Sequence, residues 1–380
     1  MRIAIIAPPW IPVPPPAYGG VEQVVALQAE GLARLGHDVT LFAPPGSIVP
    51  GVRTCESPIE LPEQIGQVDV EALRLTALID ELADFDIVLD HSSPEGLALV
   101  ARARTPIVHV AHGPIDRACA HHYRSVATLN RNVHLVAISD SQRRSAPTVP
   151  FIDVCHNGID VDAIAFRPER GGYLAFLGRM CPEKGPAEAI AIAKAAGRKL
   201  LIAAKCREEL ERAYFEREIR PHLGEDIVWM GEVDRHEKYD FLGRADALLF
   251  PISWDEPFGL VMAEAMATGT PVLATARGAV PEVVRDGLSG FVRSDPAELV
   301  PLVDRLNTID RMRCRHWAQE QFSSEAMALR YDRLLSRAAG GLTLRANMRS
   351  EAAAPRPARR LTHISLGGGV AGRALPQTGP

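Results

Sequence analysis

The sequence predicts an α/β protein made of two doubly wound halves, and three observations predict it. Short apolar runs alternate with longer helical stretches, the pattern of a sheet with helices on its faces. The first run, residues 2–7, is apolar on both faces and stops at Pro8-Pro9, as a buried parallel strand does. The pattern breaks at Asn157-Gly158-Ile159-Asp160, Arg167-Pro168 and Gly171-Gly172, and then restarts. A chain of 380 residues is long enough for two domains of ordinary size. We therefore read Rossmann-like domains at 1–165 and 166–339, without close internal repetition, followed by a tail at 340–380.

In the first half a helix over 20–35 follows the opening strand and is closed by Gly36; the second strand is 37–43. Further strands are expected at 87–90, 107–111 and 135–139, with helices near 70–83, 94–103 and 140–146. In the second half strands are expected at 173–178, 200–204, 227–230, 247–251 and 272–274. Helices are expected at 185–196, 207–219, 235–243 and 260–268, with more over 296–338. Beyond about residue 340 the chain is rich in Ala, Arg, Gly and Pro and reads as a mostly disordered basic tail.

The hydrophobic fraction of 47% is ordinary for a soluble globular chain, and a net charge of −5 gives no electrostatic case for a nucleic-acid partner. Six cysteines, at 55, 119, 155, 181, 206 and 314, form no Cys-x-x-Cys pair. Neither a zinc site nor a disulfide framework is indicated, and reduced thiols are expected. The apolar start is too short for a signal-peptide core, and no run approaches the roughly 18 apolar residues of a membrane span. A cytoplasmic protein is expected. The tail arginines leave peripheral contact with the cytoplasmic face of a membrane open.

The most informative stretch is Asp255-Glu256-Pro257-Phe258-Gly259-Leu260-Val261-Met262-Ala263-Glu264, with two carboxylates eight positions apart. It joins an apolar strand to a helix start, where free backbone N–H groups and the helix dipole favour anions. Glu256 lies in the loop. Glu264 lies on the helix, and helical side chains lean back toward the N-terminus, so it also can face a ligand there. Two acids that accept hydrogen bonds beside a phosphate site suit a sugar nucleotide. A second strand-to-helix loop, Gly178-Arg179-Met180-Cys181-Pro182-Glu183-Lys184-Gly185, puts a guanidinium fork and an ammonium where a diphosphate would lie. Gly19-Gly20 opens the first helix, either as a plain turn or as a close backbone approach to a phosphate. This loop lacks Gly-x-Gly-x-x-Gly, which weakens a dinucleotide oxidoreductase reading. His112 ends the strand that contains His109. With no carboxylate cluster to complete a shell, these residues and nearby His121 and His122 do not read as metal ligands. The Asp-x-Asp pairs Asp84/Asp86 and Asp160/Asp162 are read as structural.

The 255–264 segment resembles the signature of the family 4 retaining glycosyltransferases of the GT-B fold, two Rossmann-like domains facing across a cleft. The resemblance covers about residues 1–335 and is stronger in the second half. It implies a hexosyltransferase that transfers a hexose from a nucleoside-diphosphate sugar, with a UDP-sugar favoured over a GDP-sugar and the base left open, to an unknown hydroxyl acceptor: glycan, lipid or small molecule. It also implies no metal and no other cofactor. Arg179 and Lys184 match the pair that holds the diphosphate, helped by the amides of Phe258, Gly259, Leu260 and Val261. Gly19 and Gly20 match the glycine loop beside the leaving group. Glu256 would hold sugar hydroxyls, Glu264 the ribose hydroxyls, and His112 the sugar near its reacting carbon. Lys205 stands where the family often has glycine, and remains either a donor contact or plain surface. Glu232 and Val233 fall where the nucleotide base is held. Gly278-Ala279-Val280-Pro281-Glu282 and 286–291 resemble the later family pattern and read as turn and packing residues. A nucleotide-sugar epimerase of the same fold is the main alternative, disfavoured by the Glu256/Glu264 pair. A non-catalytic sugar-nucleotide-binding protein is disfavoured by the intact set of Arg179, Lys184, Glu256 and Glu264.

Overall fold

The computed structural model describes residues 1–16, 19–56 and 68–340. The expected tail at 340–380, all but Gly340, therefore lies outside the described residues. The first half holds a seven-stranded parallel sheet of β1 (Arg2–Ile6), β2 (Asp38–Ala43), β3 (Arg53–Glu56), β4 (Ile87–Asp90), β5 (Ile107–Ala111), β6 (Val133–Ala137) and β7 (Phe151–Val154), ordered β3-β2-β1-β4-β5-β6-β7. The second holds a six-stranded sheet of β8 (Tyr173–Arg179), β9 (Lys199–Lys205), β10 (Ile227–Gly231), β11 (Ala247–Phe250), β12 (Val272–Thr275) and β13 (Gly290–Arg293), ordered β10-β9-β8-β11-β12-β13. Both are Rossmann-type orders. The direction of winding reverses between β1 and β4, and again between β8 and β11, and ligand crevices form at the carboxyl ends of such pairs.

Burial follows position in the sheet. Every residue of β4, β5, β11 and β12 is buried, whereas the edge strands β3 and β7 are partly exposed along their length. This explains why β3 and β7 are additions to the sequence reading; β13, whose first two residues are buried, is a third addition. Arg53-Thr54-Cys55-Glu56 has no apolar run, because an edge strand has one neighbour and one open side.

The helix Leu260–Thr268 is buried at every residue from Met262 onward. A helix that is apolar all round belongs in a core. Its single charged residue, Glu264, is 8% exposed and so requires a partner. The helix ends at Gly269, whose φ of 93° is left-handed. The helix expected over 207–219 is shorter, Glu209–Tyr214, and passes into a wider turn at Phe215–Ile219 and a tight one at Arg220–His222. The region 296–338 divides into a 3₁₀-type run, Pro296–Thr308, and two helices, Arg311–Phe322 and Ser324–Ala339.

The last helix packs back onto the first half, although in sequence it belongs to the second, 166–339. Its buried face of Met327, Ala328, Tyr331, Leu334, Leu335 and Ala338 follows helical spacing and needs an apolar partner. It finds one on the helix Gly20–Arg34, where Gly31 lets the two backbones approach: a Cβ there would lie 2.6 Å from that of Ala328. His37 Nε2 lies 3.0 Å from Asp332 Oδ1, and Arg337 pairs with Asp153.

Candidate active site

The loop after β8 is shaped by one glycine. Pro182–Lys184 makes a tight turn, and Gly185 then takes a left-handed φ of 76°. A Cβ at this position would collide with the carbonyl oxygen of Pro251, so only glycine lets the loop rest on the chain leaving β11. The Ser253 amide donates to the Glu183 carbonyl at 3.1 Å. This contact brings Lys184 Nζ to 2.5 Å from Glu256 Oε2 and 4.6 Å from the centre of the Trp254 ring. Arg179 Nη2 lies 3.0 Å from Glu183 Oε1, and its Nη1 lies 3.9 Å from the buried carboxylate of Glu211.

The carboxylate loop after β11 is braced from behind. The Ala279 amide donates to the Glu256 carbonyl at 2.8 Å, and the Gly278 amide to Asp255 Oδ1 at 3.2 Å. A Cβ at Gly278 would collide with the Glu256 backbone. Gly259 turns the chain into the helix with a φ of 83°. Among the described residues no side chain caps that helix, so the amides of Leu260 and Val261 remain available to an anion. The Phe258 ring packs 5.8 Å from His156 and 5.6 Å from Phe322 in the core, and Phe258, expected at the donor, is not part of the cavity wall. Glu264 Oε1 meets Lys238 Nζ at 2.6 Å; Lys238 stands on the helix Arg235–Arg244 after β10.

These elements enclose a cavity of about 300 Å³ at the β8/β11 switch point. From the second half, Arg179, Lys184, Glu256 and Glu264 line it together with Gly259, Leu260 and Val261. Lys205, Glu232 and Val233 also line it; Lys205 bonds Glu208 at 3.0 Å and Glu232 pairs with Arg207 at 2.6 Å. From the first half come Gly19 and Gly20. A Cβ on Gly20 would lie 3.3 Å from the Leu260 side chain, so the glycine loop reaches the helix start across the cleft. Sequence reasoning missed Gln23, Asp234 and Lys238, which share this wall. The signal available for Lys238 was a cation on a helix just past a strand end.

His112 is not part of that cavity wall. Its Nε2 lies 2.7 Å from His91 Nδ1, and the two rings stack at 29° with centres 5.0 Å apart. His112 Nδ1 and His91 Nε2 are buried and have no hydrogen-bond partner among the described residues. Burial, helped by His109, pushes His112 down to about 3; burial also holds His91 well below its ordinary value. Both are therefore neutral near pH 7, and one shared nitrogen donates to the other. Gln142 Nε2 donates to the carbonyls on either side of His112, those of Ala111 at 2.8 Å and Gly113 at 2.7 Å. His109 is fully buried, with Nδ1 at 2.7 Å from Asp90 and Nε2 at 3.2 Å from Tyr123. Asp86 is salt-bridged to Arg2 at 3.1 Å, and Asp160 caps the Ala163 amide at 3.1 Å. Among the described residues no three His, Cys, Asp or Glu side chains converge as metal ligands do. Among the same residues no helix is long and apolar enough to cross a membrane.

Comparison with known proteins gives two family matches in tandem. Residues 18–163 match Glycosyltransferase Family 4 and residues 161–321 match Glycosyl transferases group 1. The chain is 28% identical over 349 residues to a D-inositol 3-phosphate glycosyltransferase of Mycobacterium marinum, covering 77% of this chain and 74% of that one. It is 29% identical over 375 residues to a phosphatidyl-myo-inositol mannosyltransferase of Mycobacterium tuberculosis, covering 87% and 93%. Among solved structures, AviGT4, a glycosyltransferase of avilamycin A biosynthesis, superposes with a TM-score of 0.69 at 25% identity over 90% of this chain and 98% of that one. Anabaena HepE in complex with UDP and glucose shares the fold, with a TM-score of 0.69 at 17% identity over 88% and 99%.

Proposed function

Because the chain belongs to the glycosyl transferases of group 1 and family 4, and is a glycosyltransferase of the GT-B fold, we propose that it moves a hexose from a nucleoside-diphosphate sugar to a hydroxyl acceptor, with retention at the anomeric carbon and without a bound metal. The observation that carries this is the paired charge at the switch-point cavity: Lys184 with Glu256 at 2.5 Å and Lys238 with Glu264 at 2.6 Å, with Arg179 beside them.

Each cation there is neutralised by a carboxylate. An arriving diphosphate competes for Lys184 and Arg179, and the exchange frees Glu256 to accept from sugar hydroxyls. As the sugar–oxygen bond breaks, negative charge grows on the diphosphate. Lys184, Arg179 and the amides of Phe258 to Val261 stabilise it in the role a metal ion would fill. Glu264, oriented by Lys238, accepts from the ribose. Lys205, Glu232 and Val233 bound the nucleoside, while Gly19 and Gly20 bring backbone close to the leaving group. Neutral His112 lies outside the cavity wall, so it would reach the sugar only as the halves close, and then with a hydrogen bond rather than a charge. Closure of the halves keeps water from the donor.

A UDP-sugar is favoured on the UDP complex of HepE. The two mycobacterial relatives are named for inositol 3-phosphate and phosphatidyl-myo-inositol, which makes an inositol-type hydroxyl the first acceptor to test. The test is nucleoside diphosphate release from UDP-, GDP- and ADP-hexoses with chelator present, with and without inositol phosphates. Acceptor-dependent release and a product of retained configuration by NMR support the proposal. An inverted product overturns retention. Epimerisation of the nucleotide sugar without acceptor would make the protein an isomerase.

A further inference from the structure

Glu282, which the sequence marks only as a turn residue, joins the two halves. It stands on the short helix Val280–Val283 of the second half, yet its carboxylate accepts from amides of the first. Oε2 receives the Asp140 amide at 2.8 Å and Oε1 the Ser141 amide at 2.5 Å. Arg144 and His156 add contacts at 3.3 Å each. These amides open the helix Asp140–Ser145 and would otherwise lack acceptors. Burial raises the Glu282 carboxyl, but the bonds from His156, Asp140 and Ser141 outweigh this and hold it below its ordinary value, so it is ionised at neutral pH.

Both sides of this contact lead to the site. On the second-half side the Glu282 amide donates to the Ala279 carbonyl at 2.9 Å, and Ala279 and Gly278 brace the Glu256 backbone as described above. On the first-half side the same helix carries Gln142, which grips the carbonyls flanking His112. His156, between the halves, bonds Glu282 and packs against Phe258 of the donor loop.

We infer that Glu282 is a positioning residue that couples the Glu256 loop of one half to the His112 strand end of the other, so that bringing the halves together and aligning the two parts of the site are one event. The inference rests on the glycosyl-transfer reading for its catalytic consequence. Its structural content is independent of that reading, because the coupling runs through bonds that no substrate makes. A displacement of about 1 Å of a positioned group costs about a hundredfold in rate. Loss of Glu282 should therefore lower kcat by about that factor and leave donor affinity nearly unchanged, since every donor-facing charge remains.

The test compares the full-length protein with Glu282→Ala and the isosteric Glu282→Gln, each first checked for cooperative melting. Hydrogen exchange by mass spectrometry, without ligand, should show faster exchange in both variants over 107–116 and over 252–260, with β1 and β2 unchanged. Calorimetry with UDP should give a Kd within about threefold of the parent, and kcat should fall about a hundredfold. Faster exchange confined to 140–145, or an unchanged kcat in a folded variant, would overturn the coupling. If the parent itself binds no nucleoside diphosphate, the glycosyl-transfer reading fails, and the exchange over 107–116 and 252–260 still decides whether Glu282 couples the halves.

Discussion

Lys184 and Glu256 carry opposite parts of the proposed chemistry while bound to each other, with side-chain exposures of only 18% and 11%. Breaking such a pair from one side leaves the other charge poorly solvated. Glu256→Gln is therefore a cleaner probe than Glu256→Ala. Glu256→Gln and Lys184→Ala should each reduce kcat about 10²- to 10³-fold with the fold intact, as loss of a preorganised electrostatic contact does. Wild-type release of nucleoside diphosphate by both variants would show that the pair is structural. The His91/His112 pair makes a separate prediction. Both titrate below 6.5 in the folded chain, so in the acid range the unfolded chain binds more protons and stability is lost as pH falls below about 6.5. His112 alone should cost at most about 2 kcal/mol between pH 7 and pH 5, and His91→Gln should flatten the slope. A melting temperature constant over that range would contradict the neutral stacked pair.

The two loops at the cleft are aimed by Gly185 and Gly278, which stand outside the cavity wall. Gly185 is left-handed and sits against Pro251, so Gly185→Ala meets both backbone strain, roughly 1–2 kcal/mol, and a collision with main chain. The loop must lift, carrying Lys184 away from Glu256. We expect a lowered melting temperature and nucleoside diphosphate binding weakened about tenfold or more by calorimetry; unchanged affinity would show that Lys184 needs no such placement. At this scale the sequence was readable where an element is buried on both faces. β1, β4, β5 and β11 show as apolar runs, and the small apolar residues of 260–268 show as a core helix. The edge strands β3 and β7 left no such mark, because half of each faces outward. Lys238 was silent for a related reason: a cation on a solvated helix looks ordinary until the helix crossing sets it on Glu264.

For the whole molecule, the alternation of elements and its restart after residue 172 were legible, and so was the 255–264 segment that supplies part of the cavity wall. The return of the helix Ser324–Ala339 to the first half was not, because its amphipathic face fits any apolar surface and only the gap at Gly31 selects one. The role of Glu282 was equally hidden, since its partners are backbone amides 142 and 141 positions away. As proposed, the β8/β11 cavity is a nucleoside-diphosphate site that works without metal. Calorimetric titration of the purified protein with UDP, GDP, ADP and NAD, with chelator present, tests it most directly. One nucleoside diphosphate should bind, UDP first, and Lys184→Ala should weaken it. Binding of NAD alone, or of no nucleotide until a divalent metal is restored, would contradict it.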